Sequence, residues 1–113
     1  MDVVAVLIKL KPNSQDHVRE WAETINSRKD EALATLRDEG VVMESWFQVE
    51  VEGQDYLLCF MRSESIERAG QAVKTSQHAI DAYHKQFKAG TWVSGANISA
   101  TLLVDLVPEK DGA

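Results

Sequence analysis

The chain is poor in cysteine, in positive charge and in long apolar runs, and each shortage excludes a class of protein. Its single cysteine, Cys59, cannot form an internal disulfide and falls within a strand pattern, as a small apolar residue would. A formal net charge of −6 over 113 residues argues against phosphate-driven binding of nucleic acid and against attraction to anionic membranes. We therefore expect neither nucleic acid nor a membrane among its partners.

Long hydrophobic segments are also missing. The longest early apolar run, Val3 to Ile8, is too short for a signal-peptide core and follows Asp2 instead of a basic segment. No other run approaches the length of a membrane span. Together with the lone cysteine, this predicts a soluble protein in a reduced, cytoplasmic compartment.

What is present is ordinary for one globular domain. The apolar fraction is 44% and the charged fraction 27%, and the length suits a single hydrophobic core. We expect one domain over residues 1–107 and a flexible, polar C-terminal tail over residues 108–113.

Runs of β-branched and aliphatic residues bounded by turn residues predict four strands, at 3–10, 41–51, 56–62 and 98–107. Helical periodicity predicts a long helix, capped by Ser14 and ended by Gly40 after about Glu39. A shorter helix is expected after a cap at Ser63, and another over residues 79–88.

This order is β-α-β-β-α-β, which predicts an α+β, ferredoxin-like fold. Right-handed crossovers place the helices on one face of a four-stranded antiparallel sheet. The strands nevertheless carry apolar side chains on both faces, although a sheet with one solvated face should alternate apolar and polar residues. We therefore expect a second copy of the chain to cover the other face, in a sheet-to-sheet homodimer.

Three segments carry a family resemblance across nearly the whole chain. They are the run from Asn26 to Leu36 followed by Glu39-Gly40-Val41, the pair Glu44-Ser45, and the run from His78 to His84. Through them the chain resembles the dimeric α/β-barrel superfamily, and within it an uncharacterised bacterial family of unknown function. The resembling pattern often has a proline after the first histidine, where this chain has Ala79.

The resemblance implies two ferredoxin-like subunits packed sheet to sheet, with pockets between sheet and helices. It also implies activities such as those of cofactor-independent monooxygenases and sugar mutarotases, with no bound cofactor. Haem degradation is disfavoured, since residues 3–10 lack the asparagine and the second helical region lacks the tryptophan on which the haem-degrading members depend.

Two basic residues interrupt the apolar stripe of the long helix. Lys29 falls in the middle of that stripe and Arg28 at its edge. Lys29 either extends its charge outward past the apolar stem or points it into a pocket, to hold an anionic ligand or to pair with Glu44. Both residues are therefore candidate ligand contacts.

His84 is the sharpest catalytic candidate, because it shares the apolar side of its predicted helix with Ile80, Tyr83 and Phe87. It serves either as a hydrogen-bonded core residue or as a general acid or base, with Tyr83 or Glu44 as its helper. Trp21 and Trp46 are candidate pocket walls, and His78 lies in a helix break as a cap or a pocket-rim residue. His78 and His84 stand too far apart on a helix to share a metal ion easily, so no metal site is expected.

Two functions remain open. One is a small-molecule enzyme, monooxygenase-like or mutarotase-like, that uses these side chains without a tightly bound cofactor. The alternative is a non-catalytic dimeric ligand-binding or accessory protein, in which the same residues are structural. A filled gap between sheet and helices would favour the second function.

Overall fold

Strands and helices alternate in the predicted order, with both helical regions divided in two. The computed structural model describes residues 1–108, and its elements are β1 (Asp2–Lys9), α1 (Gln15–Ser27), α2 (Lys29–Glu39), β2 (Val41–Val51), β3 (Gln54–Ser63), α3 (Ile66–Thr75), α4 (Ala79–Thr91) and β4 (Ile98–Ser99). The strands form one antiparallel sheet in the order β2-β3-β1-β4. The predicted α+β, ferredoxin-like fold is confirmed. Within these residues, no helix combines the length and apolarity needed to cross a membrane.

The two faces of the sheet have different surroundings. On one face, Ile8 of β1 lies opposite Leu57 of β3, and both side chains are buried beneath the helices. We call this the helix-side face of the sheet. Because side chains alternate along a strand, the neighbouring pair Leu7 and Leu58 points to the opposite, outer face. Phe47 of β2 lies opposite Leu58 on this face and is 53% exposed.

A tight turn sets the register between β2 and β3. Its central residues, Glu52 and Gly53, both have positive φ angles, of 51° and 77°. Two such residues form the type I′ turn that matches the twist of a two-stranded hairpin. The register that follows places Phe47 opposite Leu58 and Trp46 opposite Cys59.

The first helical region is not one long helix, and that prediction was wrong. Arg28 adopts φ −114° and ψ 38°, which interrupts the helix between α1 and α2. Just before the interruption, Asn26 and Ser27 direct their side chains back to the carbonyl oxygens of Ala22 and Thr24. Such bonds compete with continued helix formation, and the sequence periodicity does not report them.

Two capping predictions also need correction. Ser65, not Ser63, caps α3, and its side chain accepts a hydrogen bond from the backbone N–H of Arg68. Ser63 is buried, where its hydroxyl donates to the carbonyl of Gly40 at 3.3 Å and accepts from the N–H of Ser65. Ser14 directly precedes α1, but its hydroxyl donates a hydrogen bond to the Lys11 carbonyl and makes no capping bond to the helix.

The fourth strand is much shorter than the predicted 98–107. Only Ile98 and Ser99 pair with β1, and the last bond to it runs from the N–H of Ala100 to the carbonyl of Ala5. Residues 100–107, here called the C-terminal arm, then leave the sheet, and Asp105 pairs with Arg62 at 2.9 Å. The arm exposes a row of large apolar side chains: Leu102, Leu103, Val104, Leu106 and Val107. The predicted tail lies outside the described residues from position 109 onward.

The Gly40→Ala variant tests the junction that ends α2. Gly40 has φ +73°, where an L side chain is strained, whereas a Cβ there meets nothing closer than 3.5 Å, so the cost comes from the backbone. We expect Gly40→Ala to lower the free energy of unfolding by about 1–2 kcal/mol in urea denaturation. Gly90→Ala is the control, because Gly90 lies within α4 with open space around its Cβ position. We expect that control to be neutral or stabilising, and equal losses in the two variants would contradict this account.

Candidate functional site

A cavity of about 450 Å³ lies between the helix-side face of the sheet and the helices. Its walls come from every strand except β4 and from all four helices, so the fold as a whole shapes it. The predicted gap between sheet and helices is therefore open, although Trp21 and Phe87 fill part of it by stacking at 4.6 Å between ring centroids.

Aromatic rings form one wall of this cavity. The chain has three tryptophans, and Trp21, Trp46 and Trp92 all line the cavity. Trp21 and Trp46 meet edge to face at 5.4 Å, and the centroid of the Trp92 ring lies 6.0 Å from that of Trp46. These rings come from α1, β2 and the segment after α4, so the wall requires the complete domain.

His84 stands at the centre of the aromatic wall, on α4. The indole N–H of Trp21 donates to Nδ1 of His84 at 3.0 Å. Because Nδ1 accepts this bond, the neutral ring carries its proton on Nε2. Burial, with a further contribution from Lys88, lowers the pKa of His84 to about 3. The imidazole is therefore a neutral hydrogen-bond donor at ordinary pH.

Glu44 reaches the same cavity from β2. Its Oε1 accepts a hydrogen bond from the indole N–H of Trp46 at 2.8 Å, which joins two side chains on one face of the strand. Burial raises the pKa of Glu44, while the bond from Trp46 acts in the opposite direction. This carboxyl is thus held in place by the aromatic wall.

Glu39 and Lys88 complete the polar part of the cavity. Glu39 is the last residue of α2, and burial, together with the charges of Asp81 and Glu44, raises its pKa to about 7. Lys88 lies one helical turn beyond His84 on α4, with Nζ 5.0 Å from the centre of the Trp92 ring. Burial lowers the pKa of Lys88, and the charge of Glu44 opposes that change. A carboxyl that gains and loses a proton near neutral pH therefore shares the cavity with a partly buried cation.

Trp92 carries the one buried side-chain polar atom of residues 1–108 that has no hydrogen-bond partner. Its indole N–H is enclosed and donates to no described group. A buried donor without a partner costs about 1–3 kcal/mol.

The structure brings together five of the predicted site residues. His84, Glu44, Trp21, Trp46 and Lys29 all line the cavity, with Lys29 largely exposed at its rim. The remaining three lie elsewhere. Arg28 pairs with Glu31, and His78 meets Asp38 at 2.6 Å, both near the protein surface. Tyr83 lines a separate, smaller depression on the far side of α4.

Sequence reasoning missed Glu39 and Lys88, although a helical signal for each was present. Lys88 follows His84 by four residues, so the two share one face of α4. Glu39 follows Thr35 and Ala32 by four and seven residues, which extends the cavity-facing stripe of α2 by one turn. The stripe predicted from the sequence ended at Leu36, three residues before Glu39.

Neither thiol nor metal chemistry is favoured by the arrangement. Burial raises the pKa of the Cys59 thiol to about 12, so this cysteine is not a reactive thiolate. Among residues 1–108, no three histidine, cysteine, aspartate or glutamate side chains converge as metal ligands would.

The fold and the cavity define the class of the protein: a ferredoxin-like α+β fold with a pocket between sheet and helices. The chain belongs to the family of unknown function DUF6176, whose model matches residues 1–111. None of the curated proteins compared with the chain matches it.

Among the solved structures that share the fold are two enzymes by description. One, from Nitrosomonas europaea, is described as an antibiotic biosynthesis monooxygenase; it is 13% identical and superposes with a TM-score of 0.57 over 92% of this chain and 100% of its own. The other is an L-rhamnose mutarotase from Formosa agariphila, 17% identical, with a TM-score of 0.56 over 96% of this chain and 100% of its own. At these identities the similarity shows the fold alone.

Proposed function

We propose that the chain is a small-molecule enzyme that binds its substrate in the helix-side cavity and catalyses proton transfer without a tightly bound cofactor. The observation that carries this proposal is the cavity itself, about 450 Å³ in volume, in which an aromatic wall meets Glu39, Glu44, His84 and Lys88. Cavities of this size, with apolar walls and a few convergent polar groups, are typical of small-molecule sites.

The cavity favours an enzyme over an accessory protein in which the same residues are only structural. A purely structural core would fill the gap between sheet and helices, but here the gap is open. The pKa values of Glu39 and Glu44 are raised and that of Lys88 is lowered by burial in one place. Such clusters of perturbed groups in a cleft are characteristic of catalytic sites.

The role that we propose for His84 is that of a hydrogen-bond donor, not of a general base. A histidine with a pKa of about 3 is too weak a base to remove a proton at neutral pH. We assign its Nε2–H to hydrogen bonding with a substrate oxygen, while Trp21 holds the ring from the other side. Glu44, fixed by Trp46, orients the substrate beside it.

The mostly apolar walls support a flat, ring-bearing substrate better than a sugar. A monosaccharide presents hydroxyl groups around its whole ring and would leave many of them unpaired against Val6, Met61 and Val73. A planar ring would stack against Trp21 and Trp46, leaving its oxygen for His84 and Lys88.

We also propose that two copies pack their outer sheet faces together. Phe47, Met43 and Ile98 are about half exposed on this face, and the C-terminal arm adds five more exposed apolar side chains. Contiguous apolar surface of this kind is uncommon on monomers. The helix-side cavity stays open in such a dimer, because it lies on the opposite face of the sheet.

Binding of the neutral dye N-phenyl-1-naphthylamine tests the cavity. We expect saturable binding, with the dye emission rising and the tryptophan emission falling, because all three tryptophans line the cavity. Val73→Phe narrows the cavity from α3 and should weaken binding by about tenfold or more, since it displaces ligand contacts worth at least about 1.4 kcal/mol. Titration of both emissions measures the effect.

The matched control is Ala82→Phe, which adds the same ring to the exposed side of α4. It should bind the dye as the unmodified protein does. Absence of saturable binding to the unmodified protein, or equal weakening in both variants, would contradict the proposal.

A further inference from the structure

Three carboxyl groups line the cavity, and Glu39 is the one that forms no hydrogen bond with another side chain among residues 1–108. Glu44 is bound by the indole of Trp46, and Asp81 bonds with the hydroxyl of Ser76. The pKa of Glu39, in contrast, is set by burial and by neighbouring charges, with no hydrogen bond contributing. Its half-buried carboxyl therefore projects into the cavity without a partner among residues 1–108.

The position of Glu39 favours a carboxyl that keeps its proton. It ends α2, where the carbonyl end of a helix disfavours negative charge. Three acidic groups surround it, Asp38 on its own helix, Asp81 on α4 and Glu44 on β2, and Lys88 on α4 opposes them. The carboxyl is consequently poised between its two protonation states near neutral pH, as a general acid or base needs to be.

Two hydrogen-bond donors, on His84 and Lys88, share the cavity with the Glu39 carboxyl. Nε2–H of His84 and the ammonium of Lys88 lie one turn apart on α4, and both residues line the cavity with Glu39. Nδ1 of His84 is occupied by Trp21, so Nε2 can only donate. A carboxyl without a partner thus shares one cavity with two donors suited to an oxygen that gains negative charge.

We propose that Glu39 is the catalytic residue that transfers the proton, and that the substrate is a neutral cyclic carbon acid, a ring with a carbonyl group next to a C–H bond. This inference rests on the proposed function and deepens it. It names the proton carrier and the chemical class of the substrate.

The proposed reaction is a proton transfer in which every bond and electron pair is accounted for within the site. The Glu39 carboxylate takes the proton from the ring carbon, the electron pair of the broken C–H bond forms a C=C bond, and the carbonyl electrons move onto oxygen. His84 Nε2–H and Lys88 stabilise the resulting enolate oxygen. The proton then returns from the Glu39 carboxyl to the same carbon, on either face of the ring, and the carbonyl group re-forms, so no oxidant or reductant is consumed.

The first test measures protons taken up when the neutral dye N-phenyl-1-naphthylamine binds. An apolar ligand removes water from Glu39 and raises its pKa further, so binding near pH 7 should take up a fraction of a proton. Calorimetry in buffers of different ionisation enthalpy measures that fraction. Because the pKa of Glu39 is about 7, affinity for the dye should fall by up to about tenfold between pH 6 and pH 8. Glu39→Gln should abolish both effects, whereas Glu23→Gln, on the exposed side of α1, should keep them.

The second test follows chemistry in D₂O with 2-tetralone, a flat, neutral and enolisable ketone. The unmodified protein should accelerate exchange of the hydrogens next to the carbonyl, as read by proton NMR. Glu39→Gln should lose this acceleration by about 100-fold or more, the usual contribution of a general base. Glu39→Asp keeps a carboxyl and should retain proton uptake with slower exchange.

The outcomes separate this inference from the proposed function. No saturable dye binding to the unmodified protein would overturn both. Dye binding with equal proton uptake in Glu39→Gln would overturn the role of Glu39 and leave the cavity as the binding site. Dye binding without accelerated exchange in the unmodified protein would overturn the carbon-acid substrate class.

Discussion

Phe47→Glu is expected to convert the protein from a dimer to a monomer. Phe47 lies on the outer sheet face opposite Leu58, and it is already 53% exposed in the single chain. The substitution therefore costs the isolated fold little. In a two-fold dimer, however, it would bury two unpaired carboxylates, each at a cost of several kcal/mol. The dissociation constant should rise by about 1,000-fold or more.

Sedimentation equilibrium measures this change against the chain mass of 12.6 kDa. The unmodified protein should sediment at twice the chain mass and Phe47→Glu at the chain mass. Ala82→Glu, with the same charge on the exposed side of α4, should remain a dimer. Dye binding should persist in Phe47→Glu, because the cavity lies on the other face. A monomeric unmodified protein would contradict the dimer.

His84→Gln should remove a large part of the sensitivity of the fold to acid. In the unfolded chain His84 takes up a proton near pH 6.5, whereas burial and the charge of Lys88 lower its pKa in the folded chain to about 3. Between these values the unfolded state binds more protons, so the stability from a neutral His84 is complete above pH 6.5 and is lost as pH falls toward 3. At pH 4.5 the loss is about 2–3 kcal/mol.

Glutamine keeps an acceptor for the indole N–H of Trp21 but does not titrate. Urea denaturation at pH 7.5 and pH 4.5, at one protein concentration, should show the unmodified protein losing about 2–3 kcal/mol more than His84→Gln. The raised pKa values of Glu39 and Glu44 act in the opposite direction over part of this range, but they are common to both proteins. His17→Gln, on the exposed side of α1, should behave as the unmodified protein. Equal losses in all three would contradict a buried, neutral His84.

Patterns along the chain were enough to predict the order of strands and helices. Alternating and continuous apolar runs gave β1, β2 and β3, and the turn at Glu52-Gly53 gave the hairpin. These signals are local, since each depends on residues close together in the sequence. Periodicity does not report side chains that bond back to the backbone, as Asn26 and Ser27 do, so the helix break at Arg28 was missed.

The C-terminal arm shows a second limit of the same kind. Its apolar residues predicted that the fourth strand continues to residue 107, yet β4 consists of Ile98 and Ser99 alone. An apolar pattern indicates that a segment becomes buried but does not identify what buries it. In the dimer that we propose, the partner copy provides that cover.

The candidate site followed from the sequence only in part. His84 was predicted because it lies on an apolar helix face, and Glu44, Trp21 and Trp46 because pockets of the resembling enzymes use acidic and aromatic residues. The cavity brings all four together. The low pKa of His84 depends on enclosure by rings from α1, β2 and α4, which no local pattern contains. The position of Glu39 in the cavity depends likewise on the turn at Gly40, which brings the end of α2 beside β2.

The central claim is that the helix-side cavity is where this protein binds its small molecule. Replacing the three tryptophans with 5-fluorotryptophan gives one ¹⁹F signal for each of Trp21, Trp46 and Trp92, all of which line the cavity. On titration with N-phenyl-1-naphthylamine, we predict that all three signals shift together and saturate at one dye per chain. Saturable binding of the dye that leaves all three signals unmoved would contradict the claim.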